Sequence, residues 1–165
     1  MNSEDKLIIK SMRDIRSLAF HFLYVAEAFD YDITIDNIIE MFRDGFNIEF
    51  EDDCFAVIMA FNAMDQREDL DKKIEPLLKN WKLSRLGTST RIILRMSIWE
   101  LFQEKTPPSI IINEAIELAK CFGEQDSYRF INGILDEICK RFNLCVEDEQ
   151  NSENHQNDGE QSEQD

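Results

Sequence analysis

The chain has 165 residues, with 34 acidic against 18 basic side chains and a formal charge of −16. Its length suits one domain with a sizeable core, and 12 Phe against only 5 Gly and 3 Pro argue for helices over a turn-rich β fold. The overall charge speaks against nucleic acid, but eight acids and no Lys or Arg fall between Val146 and Asp165, and the remainder carries only −8.

In chain order, residues from about Asp5 to Phe29 read as one amphipathic helix, with Leu7, Ile8, Met12, Ile15, Leu18, Ala19, Phe22, Leu23 and Ala26 on its apolar face. Lys6, Lys10, Arg13 and Arg16 lie three or four apart on the other side, either a solvated face or a phosphate-contacting strip. Asp30 to Asp32 is a turn. Thr34 caps a helix to about Asn47 with Ile35, Ile38, Ile39, Phe42 and Phe46 inward. A further helix starts at Asp52 or Asp53, and a polar break follows near Gln66 to Asp71. Leu70, Ile74, Leu77, Leu78 and Trp81 continue the helical spacing, interrupted by Pro76.

Ser84 to Gly87 reads as a connection. The helix after it, running to about Glu104 from a cap at Thr88, Ser89 or Thr90, is apolar on nearly every side and so is central and buried. Arg95 and Glu100 within it need partners, and Glu100 is expected in a structural buried pair. After Pro107-Pro108 come two helices joined by a short turn. Ser109 caps the first, Gly123 ends it in a left-handed conformation, and Asp126 caps the second. Gly133 inside the second helix suggests a close helix–helix contact. Residues 147–165 hold almost nothing apolar and are expected to form a disordered acidic tail after a folded domain of residues 1–146.

Chemistry for catalysis is missing. His21 and His155 have no metal-ligand neighbours at helical spacing, and no Gly-rich phosphate loop, HExxH or GxSxG occurs. The four cysteines show no CxxC spacing, and Cys54, Cys121 and Cys139 read as reduced core residues. No apolar run nears the roughly 20 residues that span a membrane, and the N-terminus does not read as a signal peptide. A cytoplasmic binding module without cofactor or metal is expected.

The segment INEAIELAKCFGEQDSYRFINGILDEI, Ile112 to Ile138, resembles the C-terminal signature of the NusB family of transcription antitermination factors. Matching residues are Ile112 to Lys120, Phe122-Gly123, Asp126-Ser127 and Phe130 to Asp136. Upstream, Arg16, Ala19, Leu23 and Tyr24, then Asn80-Trp81, Ile93-Leu94-Arg95, Trp99-Glu100-Leu101 and Pro108 are similar to the family pattern. The resemblance implies an all-α fold of about seven helices in two small packed bundles. It implies a non-catalytic factor that binds boxA-type single-stranded RNA together with the NusE ribosomal protein. Within the RNA polymerase antitermination complex, such a factor promotes ribosomal RNA transcription.

Carried onto this chain, the family's RNA surface comprises Arg13, Arg16 and Tyr24, with Lys10 as neighbour, and Lys120, Phe122, Gly123, Asp126, Ser127, Arg129 and Phe130. Phe122, Gly123 and Phe130 have structural roles as an alternative, and Asp126 that of a cap. The chain departs from the pattern in Glu4, Asp5 and Asp14 among the first bases, in His21 where the family usually has Gln, and in the acidic tail, for which competition with RNA for the basic strip is a hypothesis. The alternative is a helical protein–protein scaffold of the same fold with weak or no RNA binding. A stand-alone relative of the helical domain that accompanies ribosomal RNA methyltransferases is a further one. The sequence leaves monomer and homodimer open.

Overall fold

The computed structural model describes residues 7–144. The expected tail, Lys6 and Cys145 lie outside them. Seven α-helices account for most of the described chain: α1 Met12–Ala28, α2 Ile35–Phe46, α3 Phe55–Asp65, α4 Arg67–Ile74, α5 Thr88–Gln103, α6 Pro108–Phe122 and α7 Ser127–Arg141. Helices α1–α4 and α5–α7 form two bundles, and α5 packs against members of both.

The buried face of α5 explains its place. Ile92, Ile93, Leu94, Met96, Ile98, Trp99 and Leu101 are all buried, so no side of the helix is left for water. Each such Ile or Leu contributes about 1.5–3 kcal/mol on burial. Polar members of α5 are matched individually. Arg16 of α1 donates through Nε and Nη2 to Glu100 Oε2 and Oε1 at 2.9 and 2.6 Å, with both side chains buried. At the other end of α1, Glu27 accepts from Arg91 at 2.5 Å and from Arg95 at 3.0 Å, while Arg95 also grips Asp71 of α4 through two bonds of 2.7 and 2.9 Å. Residue numbers rise along α1 as they fall along α5, so the two helices run antiparallel. Burial pushes the Glu27 carboxyl up, but hydrogen bonds from Tyr31 and Arg91 and the Arg95 charge outweigh it and hold the group below its usual range.

Several local expectations change. The first helix starts at Met12, because Ser11 and Asp14 form a reciprocal capping box: Asp14 N–H donates to Ser11 Oγ at 3.1 Å and Ser11 N–H to Asp14 Oδ2 at 3.0 Å. Leu7–Ile8 (β1) instead pairs in parallel with Ile48–Glu49 (β2). Helix α6 begins at Pro108, not behind a Ser109 cap; proline suits a first turn whose N–H groups have no partner. Gly87 holds the cap position of α5 without a side-chain bond, and Thr34 does cap α2 as expected.

Phe46, expected inward, is exposed because α2 ends there, and Trp81, expected to continue the helical spacing, lies exposed in the connection after the short turn Glu75–Leu77. Cys121 is exposed, Cys54 half-buried and Cys139 buried. The contact expected over Gly133 is not made; the residue is exposed on the outer face of α7, and a Cβ there would meet nothing within 4 Å.

Two stability outcomes follow from this packing. Arg16→Met alone leaves Glu100 charged and buried, costing about 3–5 kcal/mol, whereas Arg16→Met with Glu100→Leu recovers most of that loss. Urea unfolding measures both, and equal losses in the single and double variants would contradict the account. In the same assay Gly133→Ala gains about 0.5–1 kcal/mol; a loss would mean that something does pack over this position.

Candidate nucleic-acid interface

Helices α1 and α6 are both antiparallel neighbours of α5 and therefore run in the same direction, which sets their side chains in step. In the first turn of α1, Arg13 donates through Nη2 and Nε to Glu114 of α6 at 2.7 and 3.1 Å. Two turns further, Phe20 stacks on Phe122 with centroids 4.9 Å apart and planes 14° from parallel. His21 meets Phe122 edge-on, also at 4.9 Å. Tyr24, 47% exposed, lies 6.0 Å from Phe20. Phe122 is packed on one side and still 38% exposed, so it has a structural role and an accessible one. His21 Nδ1 lies 2.6 Å from the Ser17 carbonyl, which only accepts. Nδ1 therefore carries the proton and donates, leaving Nε2 as the acceptor of the neutral ring.

The turn between α6 and α7 forms the second half. Gly123 is extended, with φ −81° and ψ 169°, not left-handed as expected. Crowding is what requires glycine here: an added Cβ would fall 2.5 Å from the Ala119 carbonyl oxygen and would also strike Ser127 Oγ. The left-handed residue is Asp126, at φ 61°, whose side chain makes no cap bond. Its exposed carboxylate is left to face solvent. Ser127 Oγ is buried without a hydrogen-bond partner. Glu124 anchors the turn by accepting from Thr90 Oγ at 2.6 Å, tying it to the first turn of α5.

Around this turn Lys120 pairs with Glu117 at 3.1 Å, and Arg129 Nε donates to Tyr128 Oη at 3.1 Å. The Tyr128 ring has Lys120 Nζ at 5.7 Å and Arg129 Cζ at 5.6 Å from its centroid. Phe130 is half-buried against the core.

The bases are thus mostly accompanied by acids. Arg13 raises no net charge beside Glu114: the hydrogen bond and charge of Arg13 hold that carboxyl below its usual range, and those of Glu114 hold Arg13 above its own. The Arg13 side chain is 63% exposed and so still meets solvent. Arg16 is different. It is 4% exposed and committed to Glu100, which removes it from any phosphate-contacting strip. Its effect on the surface is to position α1.

Of the residues expected from sequence, Lys10, Arg13, Tyr24, Lys120, Phe122, Asp126 and Arg129 are exposed, while Gly123 and Ser127 shape the turn. The reading missed Phe20, Glu114 and Tyr128. Phe20 and Tyr24 stand four apart, a signal for one aromatic ridge; nothing local announces Glu114, 101 positions from Arg13. Among the described residues no three His, Cys, Asp or Glu side chains converge to hold a metal ion. None of their helices is long and apolar enough to cross a membrane.

The comparisons agree with this architecture. The NusB family profile matches residues 13–140. The transcription antitermination protein NusB of Staphylococcus carnosus is 43% identical over 129 residues, covering 78% of this chain and 98% of its own. That of Staphylococcus aureus (strain bovine RF122 / ET3-1) is 39% identical over 131 residues, covering 79% and 99%. Among solved structures, T. maritima NusB superposes with a TM-score of 0.65 at 32% identity, covering 79% of this chain and 92% of that one. A chain in a crystal structure of a plectonemic RNA supercoil reaches a TM-score of 0.70 at 25% identity, covering 81% and 97%. With the helices, the central α5 and the α6–α7 turn all in place, the chain belongs to the NusB family of transcription antitermination proteins.

Proposed function

We propose that this protein binds boxA-type single-stranded RNA together with the NusE ribosomal protein, and promotes ribosomal RNA transcription within an RNA polymerase antitermination complex in the cytoplasm, without catalysing a reaction. The observation that carries this reading is the meeting of α1 with the α6–α7 turn. It sets exposed Arg13 and Tyr24 of α1 alongside α6, which carries exposed Lys120 and Phe122, with exposed Lys10 just before α1 and exposed Arg129 opening α7. Cations supply sequence-independent attraction to phosphates. Exposed rings stack unpaired bases, and polar groups such as His21 Nε2 and the Asp126 carboxylate read base edges. The antitermination relatives and the RNA-containing structural neighbour support an RNA partner.

A second reading, the protein–protein scaffold with little RNA binding, is favoured by one observation. Arg16 is buried, and Arg13 and Lys120 already hold carboxylates. Lys120–Glu117, however, is an exposed and weak pair whose carboxylate a phosphate can replace, and Arg13, though held by two bonds to the largely buried Glu114, keeps a 63% exposed side chain.

The two readings separate in a titration of short boxA-like RNA, with and without NusE, across a salt series. With four cations engaged, log K should fall against log salt with a slope of about −3, and NusE should tighten binding. A stable complex with NusE but no RNA selectivity at any salt would establish the scaffold instead. In the same titration, truncation after Val146 should tighten RNA binding at low salt and leave it unchanged at high salt; unchanged affinity at low salt would remove the tail as a competitor.

A further inference from the structure

We propose that Tyr128 is a positioning residue that gathers Lys120 and Arg129 into a single clamp for one RNA backbone phosphate, an inference that rests on the RNA-binding reading above. Lys120 closes α6 and Arg129 opens α7, and the intervening turn alone does not bring two long, flexible side chains to one point. The ring of Tyr128 does. Lys120 Nζ and the Arg129 guanidinium carbon lie 5.7 and 5.6 Å from its centroid, each within the range of attraction by an aromatic face. Arg129 is further fixed by the 3.1 Å bond from its Nε to Tyr128 Oη.

That bond uses the phenolic oxygen as an acceptor, which leaves the phenolic proton available to donate. Three donors therefore border one ring: the Lys120 ammonium, the remaining guanidinium N–H groups of Arg129, and the Tyr128 hydroxyl. Two cations sharing a ring repel one another, and an anion between them relieves that repulsion. Arg129 makes no direct ion pair among the described residues; the Tyr128 hydrogen bond and the nearby Asp126 charge hold its guanidinium above its usual range, and it keeps N–H groups that are free of a carboxylate. Lys120 holds Glu117 only as a surface pair, with side chains 51% and 45% exposed, and such pairs exchange readily.

The test is an RNA titration over a salt series with Tyr128→Leu and Tyr128→Phe, each checked for unchanged helical content and thermal midpoint. The probe is a short boxA-like single-stranded RNA. Leucine keeps apolar bulk but has no aromatic face. It should weaken binding at low salt and make the slope of log K against log salt shallower by about 0.7, the loss of roughly one phosphate contact. Phenylalanine keeps the face and loses the hydroxyl. It should retain the slope and lose roughly threefold to tenfold in affinity, the value of one hydrogen bond. In the Tyr128→Leu background, Lys120→Ala and Arg129→Ala should each cost less than they do in the wild-type chain. A Tyr128→Leu protein with the wild-type slope, or undiminished Lys120→Ala and Arg129→Ala penalties, would overturn the clamp while leaving RNA binding intact. A wild-type chain that binds no RNA would overturn the RNA reading and the clamp with it.

Discussion

The placement of α1 depends on one buried ion pair. Arg16 and Glu100 are both nearly inaccessible, and two hydrogen bonds join them across the α1–α5 contact. A pair of this kind is a weak source of net stability, because the desolvation of two charges offsets most of their attraction. Its effect is on register: any sliding of α1 along α5 would separate two buried charges. The Glu27 contacts with Arg91 and Arg95 hold the opposite end in the same way. With both ends fixed on α5, and α6 folded back along α5, Arg13 falls beside Glu114 and Phe20 beside Phe122. The candidate surface is therefore a consequence of core electrostatics two layers below it.

This arrangement also shows how a strongly acidic chain can present a site for a polyanion. Glu114 and Glu117 of α6 pair with Arg13 and Lys120, and Asp126 lies close enough to act on Arg129. They reduce the local positive potential, so long-range attraction is weaker than on an arginine-rich surface. Specific contacts must then carry a larger share. Stacking of a base on an aromatic is worth about 1–3 kcal/mol and is insensitive to net charge, and exposed Tyr24 and Phe122 are each held in place against the buried Phe20 ring. On the proposed RNA-binding reading, selectivity rests more on stacking and base-edge contacts than on charge.

Most of the helices were legible because their signal is periodic and local. The apolar stripes of α1, α2, α6 and α7, the all-round apolarity of α5 and the Thr34 cap each need only a few neighbouring residues to be read. Errors fell where a distant partner decides the outcome. Arg13 and Arg16 look equivalent along the helix, yet one meets solvent and the other meets Glu100, 84 positions away. Leu7 and Ile8 fit a helical stripe as well as a strand, and the choice is made by Ile48–Glu49 and by the Ser11–Asp14 box that starts the helix later. Gly133 looked like a close contact because glycine is costly inside a helix, but the space above it is open. Tyr128 was passed over because its relation to Lys120 exists only once the α6–α7 turn has formed.

The α6–α7 turn is where sequence resemblance and physical cause can be separated. Gly123 occupies a matched position, and the simplest account of a glycine at a helix end is a left-handed backbone. The backbone there is extended, and Asp126 takes the left-handed conformation instead. Glycine is required because the chain passes too close to the Ala119 carbonyl for any Cβ to fit. A turn closed by steric contact, with Glu124 bonded to Thr90 across it, has few alternative conformations. Groups mounted on such a turn lose little further freedom when a ligand binds, and that preorganisation favours affinity without adding a contact. The tightness at Gly123 thus connects the packing of α6 on α7 to the preorganisation of Lys120, Phe122 and Arg129, the groups proposed to meet RNA.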